Sequence, residues 1–229
     1  MADYIDKDIL CQAYIHVEPE FLASDGYSQF ADQLKKFAVD RAKFFLYSDV
    51  EVQIEFEEGS LKARVTVFGV LALLMQGVAN YKDFKESAAL MYDDVRRFSE
   101  MLVSEGLFES RAKHDQIVRT EARTGVVGSL KKIVVDLESL KKHESLKSEG
   151  WARNRIAAIQ ESTELLLARL KTEEDRAAVK SGLLALADEL PNSPSRTPKR
   201  IPSGEYIEWW RDQRNKLRKK LKASQKQDS

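Results

Sequence analysis

The feature that most constrains this chain is a predicted β-hairpin followed by a long uncharged segment. Residues 50–56 alternate between apolar and polar side chains, as expected of a strand with one buried face. Residues 57–60 read Glu-Glu-Gly-Ser, and Gly59 can adopt the positive φ that a short hairpin turn requires. Residues 61–67 repeat the alternation. Together these patterns predict an antiparallel hairpin that buries one face.

The uncharged segment spans residues 65–81 and must be buried in some environment. We predict an apolar helix over residues 69–80 that packs against the sheet. A membrane-spanning helix needs roughly 20 mainly apolar residues, whereas this segment overlaps the hairpin and contains Gln76 and Asn80. These features favour a buried helix over a membrane-spanning one. A membrane-acting protein that releases helix 69–80 is the alternative interpretation.

Two predicted elements before the hairpin complete a β-α-β-β unit. Residues 9–17 alternate as a strand, residues 24–26 are a predicted turn, and a helix follows to about residue 47. The unit therefore contains a sheet of at least three strands. The apolar face of the helix is formed by Phe30, Leu34, Phe37 and Phe44.

The rest of the chain is predicted to be helical. A helix over residues 81–105 has Gly106 as its C-terminal stop. Residues 111–123 are highly charged and are interpreted as a solvent-facing helix or a connector. Three amphipathic helices follow, and the last of them opens with Thr172 and Asp175 at capping-box spacing. Short loops between these helices predict an antiparallel bundle.

The predicted fold is therefore α+β and predominantly helical. A small β-α-β-β domain over residues 1–108, which includes the hairpin and the apolar helix, precedes an antiparallel helical bundle over residues 109–190. Residues 191–204 are rich in proline and serine, a composition typical of an extended linker. Residues 205–229 then form a basic amphipathic helix on this tether.

The formal net charge of zero conceals an asymmetry along the chain. Residues 1–110 carry 11 Lys/Arg against 20 Asp/Glu, a net charge of −9. Residues 196–229 carry 11 Lys/Arg against 4 Asp/Glu, a net charge of +7. An acidic front and a basic tail can attract each other or contact different partners.

Residue types that carry catalysis are sparse in this chain. Cys11 and His16 lie on opposite faces of the first predicted strand, so they cannot form a nucleophile–base pair. The one cysteine and three histidines show no metal-ligand spacing. The sequence therefore predicts no catalytic residue, no metal site and no cofactor, and it favours a protein that is not an enzyme. A hydrolase that uses Glu55 and Glu57 beside Lys62 is an alternative.

The basic tail helix holds the candidate partner-binding residues. An apolar stripe through Trp210, interrupted by Arg214, is flanked by basic side chains. Such a helix suits a protein groove, nucleic acid or an anionic membrane surface. Docking on the acidic front half of the same chain is the other interpretation that the sequence leaves open. The candidate residues are Tyr206, Trp209, Trp210, Arg211, Arg214, Leu217, Arg218 and Lys219.

These patterns predict a non-catalytic cytoplasmic interaction or assembly protein that engages its partner through the tail helix. We expect a protein partner or self-association. A nucleic-acid-binding accessory protein, or a protein that contacts an anionic membrane surface through the tail, is the alternative. The N-terminal residues lack the apolar stretch of a secretory signal, and a single cysteine suits a reducing compartment, so we expect the cytoplasm.

Overall fold

The computed structural model describes residues 7–18, 24–46, 50–57, 61–76, 83–143, 149–193 and 203–222. Helices dominate these residues, and the strands form one antiparallel sheet, which confirms a predominantly helical α+β fold. The chain divides into two compact units, residues 1–128 and 129–229. The strands are β1 (Asp8–Val17), β2 (Glu51–Glu57), β3 (Leu61–Gly69) and β4 (Ile117–Arg123). The helices are α1 (Ser24–Leu46), α2 (Leu71–Gln76), α3 (Phe84–Ser110), α4 (Gly125–His143), α5 (Glu149–Arg169), α6 (Glu173–Asp188) and α7 (Ser203–Lys222), with a 3-10 turn at His114–Gln116.

The first unit contains a four-stranded sheet in the order β2-β3-β1-β4. Each pair of neighbouring strands is antiparallel, and the predicted hairpin is confirmed as the pair β2–β3. Since α1 connects β1 to β2 and α3 connects β3 to β4, the chain follows the split β-α-β arrangement. The two inner strands, β3 and β1, therefore each pair on both sides, while β2 and β4 are the edges.

One face of the sheet is covered by α1 and α3, which contact the strands and each other. Side chains of β1 and β3 alternate between this buried face and an outer polar face, as the sequence predicts. The apolar stripe of α1 was predicted in part wrongly, because Phe44 is 71% exposed. The buried positions of α1 follow a four-residue spacing instead, and they are Phe30, Leu34, Ala38, Ala42 and Leu46.

Helix α3 packs closely on β1. Its N-cap residue is Asp83, whose carboxylate accepts a hydrogen bond of 2.7 Å from the backbone N–H of Glu86. The predicted stop at Gly106 is wrong, because the helix continues to Ser110. A Cβ at Gly106 would lie 2.0 Å from Cδ1 of Ile15, so the glycine allows the close approach of α3 to β1.

The strand β4 lies in the segment that the sequence analysis interpreted as a helix or connector. Residues 117–123 alternate Ile, Arg, Glu and Arg with Val, Thr and Ala. They pair with β1 from Gln12 to Val17, regularly from Arg119 to Arg123 and with a bulge at Val118. Pairing with a strand that is already buried overrides the high charge of the segment. The sheet therefore extends beyond the predicted domain boundary at residue 108.

The predicted apolar helix over residues 69–80 appears as the short helix α2, and residues 77–82 lie outside the described part of the chain. Its residues Leu71, Ala72 and Leu74 are buried. Among the described residues, no helix is long and apolar enough to cross a membrane.

The second unit consists, in its described residues, of the larger part of α4 followed by α5, α6 and α7. Helix α6 begins as predicted, since the backbone N–H of Asp175 donates to the Thr172 hydroxyl at 3.1 Å. Helix α7 packs against α6, and this contact corrects the expectation of a helix that is only tethered. Most of the predicted linker, residues 194–202, lies outside the described residues.

The turn between β4 and α4 depends on a glycine. Gly125 has φ +48°, and a Cβ there would lie 2.0 Å from the backbone oxygen of Ile9 on β1. Gly125, the first residue of α4, therefore touches the backbone of β1, in a conformation that residues with a Cβ rarely adopt.

We expect Gly125→Ala to destabilise the first unit. The positive φ alone accounts for about 1–3 kcal/mol, and the contact with the Ile9 carbonyl adds to this. The free energy of unfolding can be measured by urea denaturation with circular dichroism. Gly150→Ala in α5 is the matched control, because a Cβ there meets nothing within 4 Å. Equal stability of the two variants would contradict the assigned role of Gly125.

Candidate interaction surfaces

Helix α7 is anchored within the second unit by Trp210. Its side chain is 0% exposed, and its indole Nε1–H donates a hydrogen bond of 2.9 Å to the backbone oxygen of Pro191, just beyond α6. Leu217 and Leu221 follow on the same side of α7 and are also buried. The apolar stripe that was predicted to bind a partner therefore packs within the second unit.

A pair of stacked aromatic rings packs at the N-terminal half of α7. The rings of Tyr206 and Trp209 stack with their centroids 5.3 Å apart, and Tyr206 is buried. The guanidinium of Arg153 on α5 lies 5.2 Å from the centre of the Trp209 ring. Both predicted aromatic residues thus contact the second unit itself.

The predicted arginines bind the C-terminal end of α6. Arg214 donates to the backbone oxygen of Asp188 at 3.1 Å, and Arg218 forms an ion pair with the Asp188 carboxylate. Arg211 donates to the Asn192 carbonyl at 3.4 Å, near the limit of a hydrogen bond. Cations suit this position because the carbonyls at a helix C-terminus are partially negative. Burial, with the positive charge of Arg218 as the next cause, lowers the pKa of the Arg214 guanidinium.

Seven of the eight predicted partner-binding residues therefore contact the chain itself or are buried in it. The exception is Lys219, which is exposed together with Lys216 and Lys222. These three lysines, which we call the lysine stripe, recur every third residue along the outer side of α7. Lys216 lies 2.7 Å from the carboxylate of Asp212. While α7 is packed on α6, the stripe faces solvent and includes Lys219 of the predicted site.

We expect Trp210→Ala to lower the free energy of unfolding of the second unit by about 3–5 kcal/mol, since a large buried side chain is removed. Trp209→Ala is the neighbouring control and should have a clearly smaller effect, because Trp209 is half-buried. Urea denaturation followed by circular dichroism measures both. Losses of equal size, or none, would show that Trp210 does not anchor α7.

The outer face of the sheet is the second surface. The strand register aligns its side chains in rows across the four strands. We call this the polar face. Its rows are Gln53, Thr66, Gln12 and Arg123; then Glu55, Arg64, Tyr14 and Glu121; then Glu57, Lys62, His16 and Arg119.

Opposite charges alternate along the polar face. Lys62 lies 2.7 Å from the carboxylate of Glu57, and Arg64 lies 3.3 Å from that of Glu55. The hydrogen bond between Lys62 and Glu57 lowers the pKa of Glu57 and raises that of Lys62, and the attraction between their charges is the second cause. Such exposed pairs add little stability, but they hold the charges of the face in a fixed pattern.

A shallow groove crosses the polar face above β1. Tyr14 forms its floor, and the Arg119 guanidinium lies 5.9 Å from the centre of that ring. The groove encloses about 170 Å³, less than the roughly 300–1,000 Å³ of a typical small-molecule site. Its dimensions suit a contact with a macromolecular surface. The lining residues are Gln12, Tyr14, Glu57, Arg64, Arg119, Glu121 and Arg123.

The edge strand β4 borders this groove. Glu121 accepts hydrogen bonds from both Arg119 and Arg123, so two guanidiniums share one carboxylate. On the other face of β4, Val118 is 53% exposed, and Thr120 and Ala122 are exposed as well. The helices that cover the centre of the sheet thus leave β4 accessible on both faces.

Cys11 is the nucleophile that the sequence offered, and it is fully buried. Burial raises the pKa of its thiol far above the ordinary value, so the reactive thiolate is disfavoured. His16 lies on the polar face, opposite Lys62 on one side and Arg119 on the other. The two residues face opposite sides of β1, as the sequence predicts.

The alternative of a hydrolase at the hairpin rests on Glu55 and Glu57, and both carboxylates form ion pairs with β3 on the polar face. Within the described ranges, no group of three or more His, Cys, Asp or Glu side chains is placed to hold a metal ion.

A thiol reagent tests the burial of Cys11. We expect 5,5′-dithiobis(2-nitrobenzoate) to leave the native chain unmodified and to react with one thiol per chain in 6 M guanidinium, because this is the single cysteine. Absorbance at 412 nm measures the released thiolate. Rapid reaction of the folded chain would contradict the structure.

Comparison of the chain with protein-family models, with curated protein sequences and with solved structures finds no match. The interpretation of function therefore rests on the chemistry of the two surfaces. Of the lysine stripe, the sequence prediction named Lys219, and it missed β4, although the alternation of residues 117–123 was available as a signal.

Proposed function

We propose that this chain is an interaction protein that binds a protein partner through the β4 edge of its first unit. An extended segment of the partner adds to β4 as a further strand and contacts the adjoining charges of the polar face. The observation that carries this proposal is an accessible edge strand, β4, beside a groove too shallow for a small-molecule site.

The backbone of β4 supports this mode of binding. Because β4 is the last strand in the sheet order, alternate N–H and C=O groups of residues 117–123 point away from β1. Such groups form main-chain hydrogen bonds with an added strand, while the side chains select which strand is accepted. Exposed Val118 supplies apolar area to the same contact.

Charge favours a protein over a polyanion at this edge. Residues 1–128 contain 15 Lys/Arg and 22 Asp/Glu, a net charge of −7. A nucleic acid would be repelled by that excess at long range, whereas a protein segment of mixed charge can match the alternation of Arg119, Glu121 and Arg123. The alternating charges of β4 therefore favour a partner strand with the complementary charge sequence.

The aromatic residues of α7 are less accessible to a partner than β4 is. Trp210, Tyr206 and Leu217 are buried in the second unit, so they can meet a partner only if α7 leaves α6. We therefore assign partner binding to β4. A membrane role for residues 69–80 is likewise disfavoured, because Leu71 and Leu74 are buried. The cytoplasm is the compartment we propose, since one unpaired cysteine suits a reducing environment.

The lysine stripe supports a second candidate function, the binding of a nucleic-acid backbone by α7. Residues 129–229 contain 22 Lys/Arg and 15 Asp/Glu, a net charge of +7. The aromatic residues of α7 are engaged in packing, which leaves the lysines to contact phosphates without stacking on bases. Binding of this kind would depend steeply on salt and little on sequence.

Two variants of equal charge change separate the candidates. One carries Arg119→Glu and Arg123→Glu on β4, and the other carries Lys216→Glu and Lys219→Glu on α7. The full chain and both variants are used as bait in nuclease-treated extract of the source cells. We expect the β4 variant to lose the bound protein and the α7 variant to retain it, since only the first alters the proposed edge.

The complex isolated with the unaltered chain provides the direct readout. Backbone amides of residues 117–123 should exchange hydrogen more slowly in the complex than in the free chain. Retention of the partner by the β4 variant, with unchanged exchange in β4, would overturn the proposal. Loss of a bound nucleic acid with the α7 variant alone, in extract without nuclease, would favour the second candidate.

A further inference from the structure

The sequence of β4 is complementary to itself in the antiparallel direction. We infer that the first unit forms a symmetric dimer in which β4 pairs with β4 of a second copy, about a two-fold axis at Thr120. This inference rests on the proposed function in one respect, the use of β4 as a binding edge. It adds the identity of the bound strand.

The register centred on Thr120 places opposite charges across the junction. Arg119 of one copy lies opposite Glu121 of the second copy, and the symmetry repeats the pair on the other side of the axis. Side chains directly opposite in an antiparallel pair have Cβ atoms about 4.5–5.5 Å apart, within reach of an ion pair. Glu121, which already accepts from Arg119 and Arg123 of its own chain, gains a further donor.

Neighbouring symmetric registers are disfavoured. An axis at Arg119 would place that guanidinium opposite its own copy, and an axis at Glu121 would do the same for the carboxylate. Like charges directly opposite each other destabilise a strand pair. An axis at Ala122 restores an Arg–Glu match but overlaps only residues 121–123. The axis at Thr120 lies at the middle of β4 and opposes unlike charges at Arg119 and Glu121, with the bulge at Val118 just outside this pair.

The face of β4 on the helix-covered side of the sheet is complementary as well. Val118, which is 53% exposed and is the extra residue of the bulge in β4, then lies near the small side chain of Ala122 in the second copy. Two symmetry-related pairs of this kind flank the central threonines. Pairing therefore removes apolar surface from water on one face and matches charges on the other.

The dimer joins two four-stranded sheets into one of eight strands. Each sheet keeps its polar face on the same side, because the two-fold axis is perpendicular to the sheet. The grooves above the two β1 strands then lie on one continuous surface, separated by the paired β4 strands. The alternative role of the charges on β4 is to prevent any pairing of the edge, and the two roles predict opposite oligomeric states.

Charge-reversal variants test the register. We expect sedimentation velocity of the full chain to show a dimer whose fraction rises with concentration. Arg119→Glu and Glu121→Arg should each weaken dimerisation about tenfold or more, because each places like charges opposite across the axis. An equimolar mixture of the two variants should dimerise again, since the two altered residues then lie opposite each other with unlike charges, and so do the two unaltered ones.

Engineered cysteines provide a second measurement. Thr120→Cys should form a disulfide-linked dimer under mild copper–phenanthroline oxidation, because residue 120 lies opposite itself at a Cα distance within disulfide range. Val118→Cys is the control and should not link to itself, since residue 118 faces residue 122 of the second copy. The native Cys11 does not interfere, because it is buried. Circular dichroism establishes that each variant is folded.

Three results would overturn the inference: a monomer at all concentrations, a mixture of charge variants that stays monomeric, or equal linkage of the Val118→Cys chain. The failure of the dimer and the failure of the proposed function are distinguishable. A monomeric chain that still captures another protein through β4 rejects the dimer and supports the proposed function. Capture that survives the β4 substitutions rejects the proposed function.

Discussion

The two-sided pairing of β1 is the interaction on which the first unit depends. This strand bonds to β3 on one side and β4 on the other, while Ala13 and Ile15 contribute to the face that α1 and α3 cover. Two other elements approach this strand closely: α3 does so at Gly106, and the β4–α4 turn does so at Gly125. Because β1 is buried, its backbone N–H and C=O groups need partners, and the pairing on both sides supplies them. It also carries the polar side chains of Gln12, Tyr14 and His16 on the opposite face.

Much of this arrangement could be predicted from the sequence, because it depends on local alternation. The strand β1 and the hairpin β2–β3 show a period of two, and the helix stripes recur at three or four residues. The strand β4 was missed because its charged side chains resemble a solvent-facing segment, and its pairing with β1 is a contact between residues distant in sequence. Gly106 was interpreted as a helix stop because a glycine at a C-terminus and one at a close contact look alike in sequence.

The aromatic residues of α7 illustrate a different limit. Their spacing predicts an amphipathic helix, and this is confirmed, but a stripe alone does not identify the surface that it covers. In the structure, the Pro191 carbonyl accepts the Trp210 N–H, and the end of α6 accepts Arg214 and Arg218. The charges of β4 have the opposite character, since they remain on an accessible edge. An edge strand must stay soluble alone yet accept a specific partner, and alternating charges can serve both needs.

The central claim is that the free edge of β4 is a binding edge that pairs in a defined register with its own copy. Backbone hydrogen exchange of the unaltered chain, measured at low and at high protein concentration, tests this most directly. Amides of residues 117–123 that point away from β1 should become protected as concentration rises, while amides of the other edge strand, β2, should keep the same exchange rate. Equal exchange of β4 at both concentrations, with no protein partner that protects it, would show that β4 is not a binding edge.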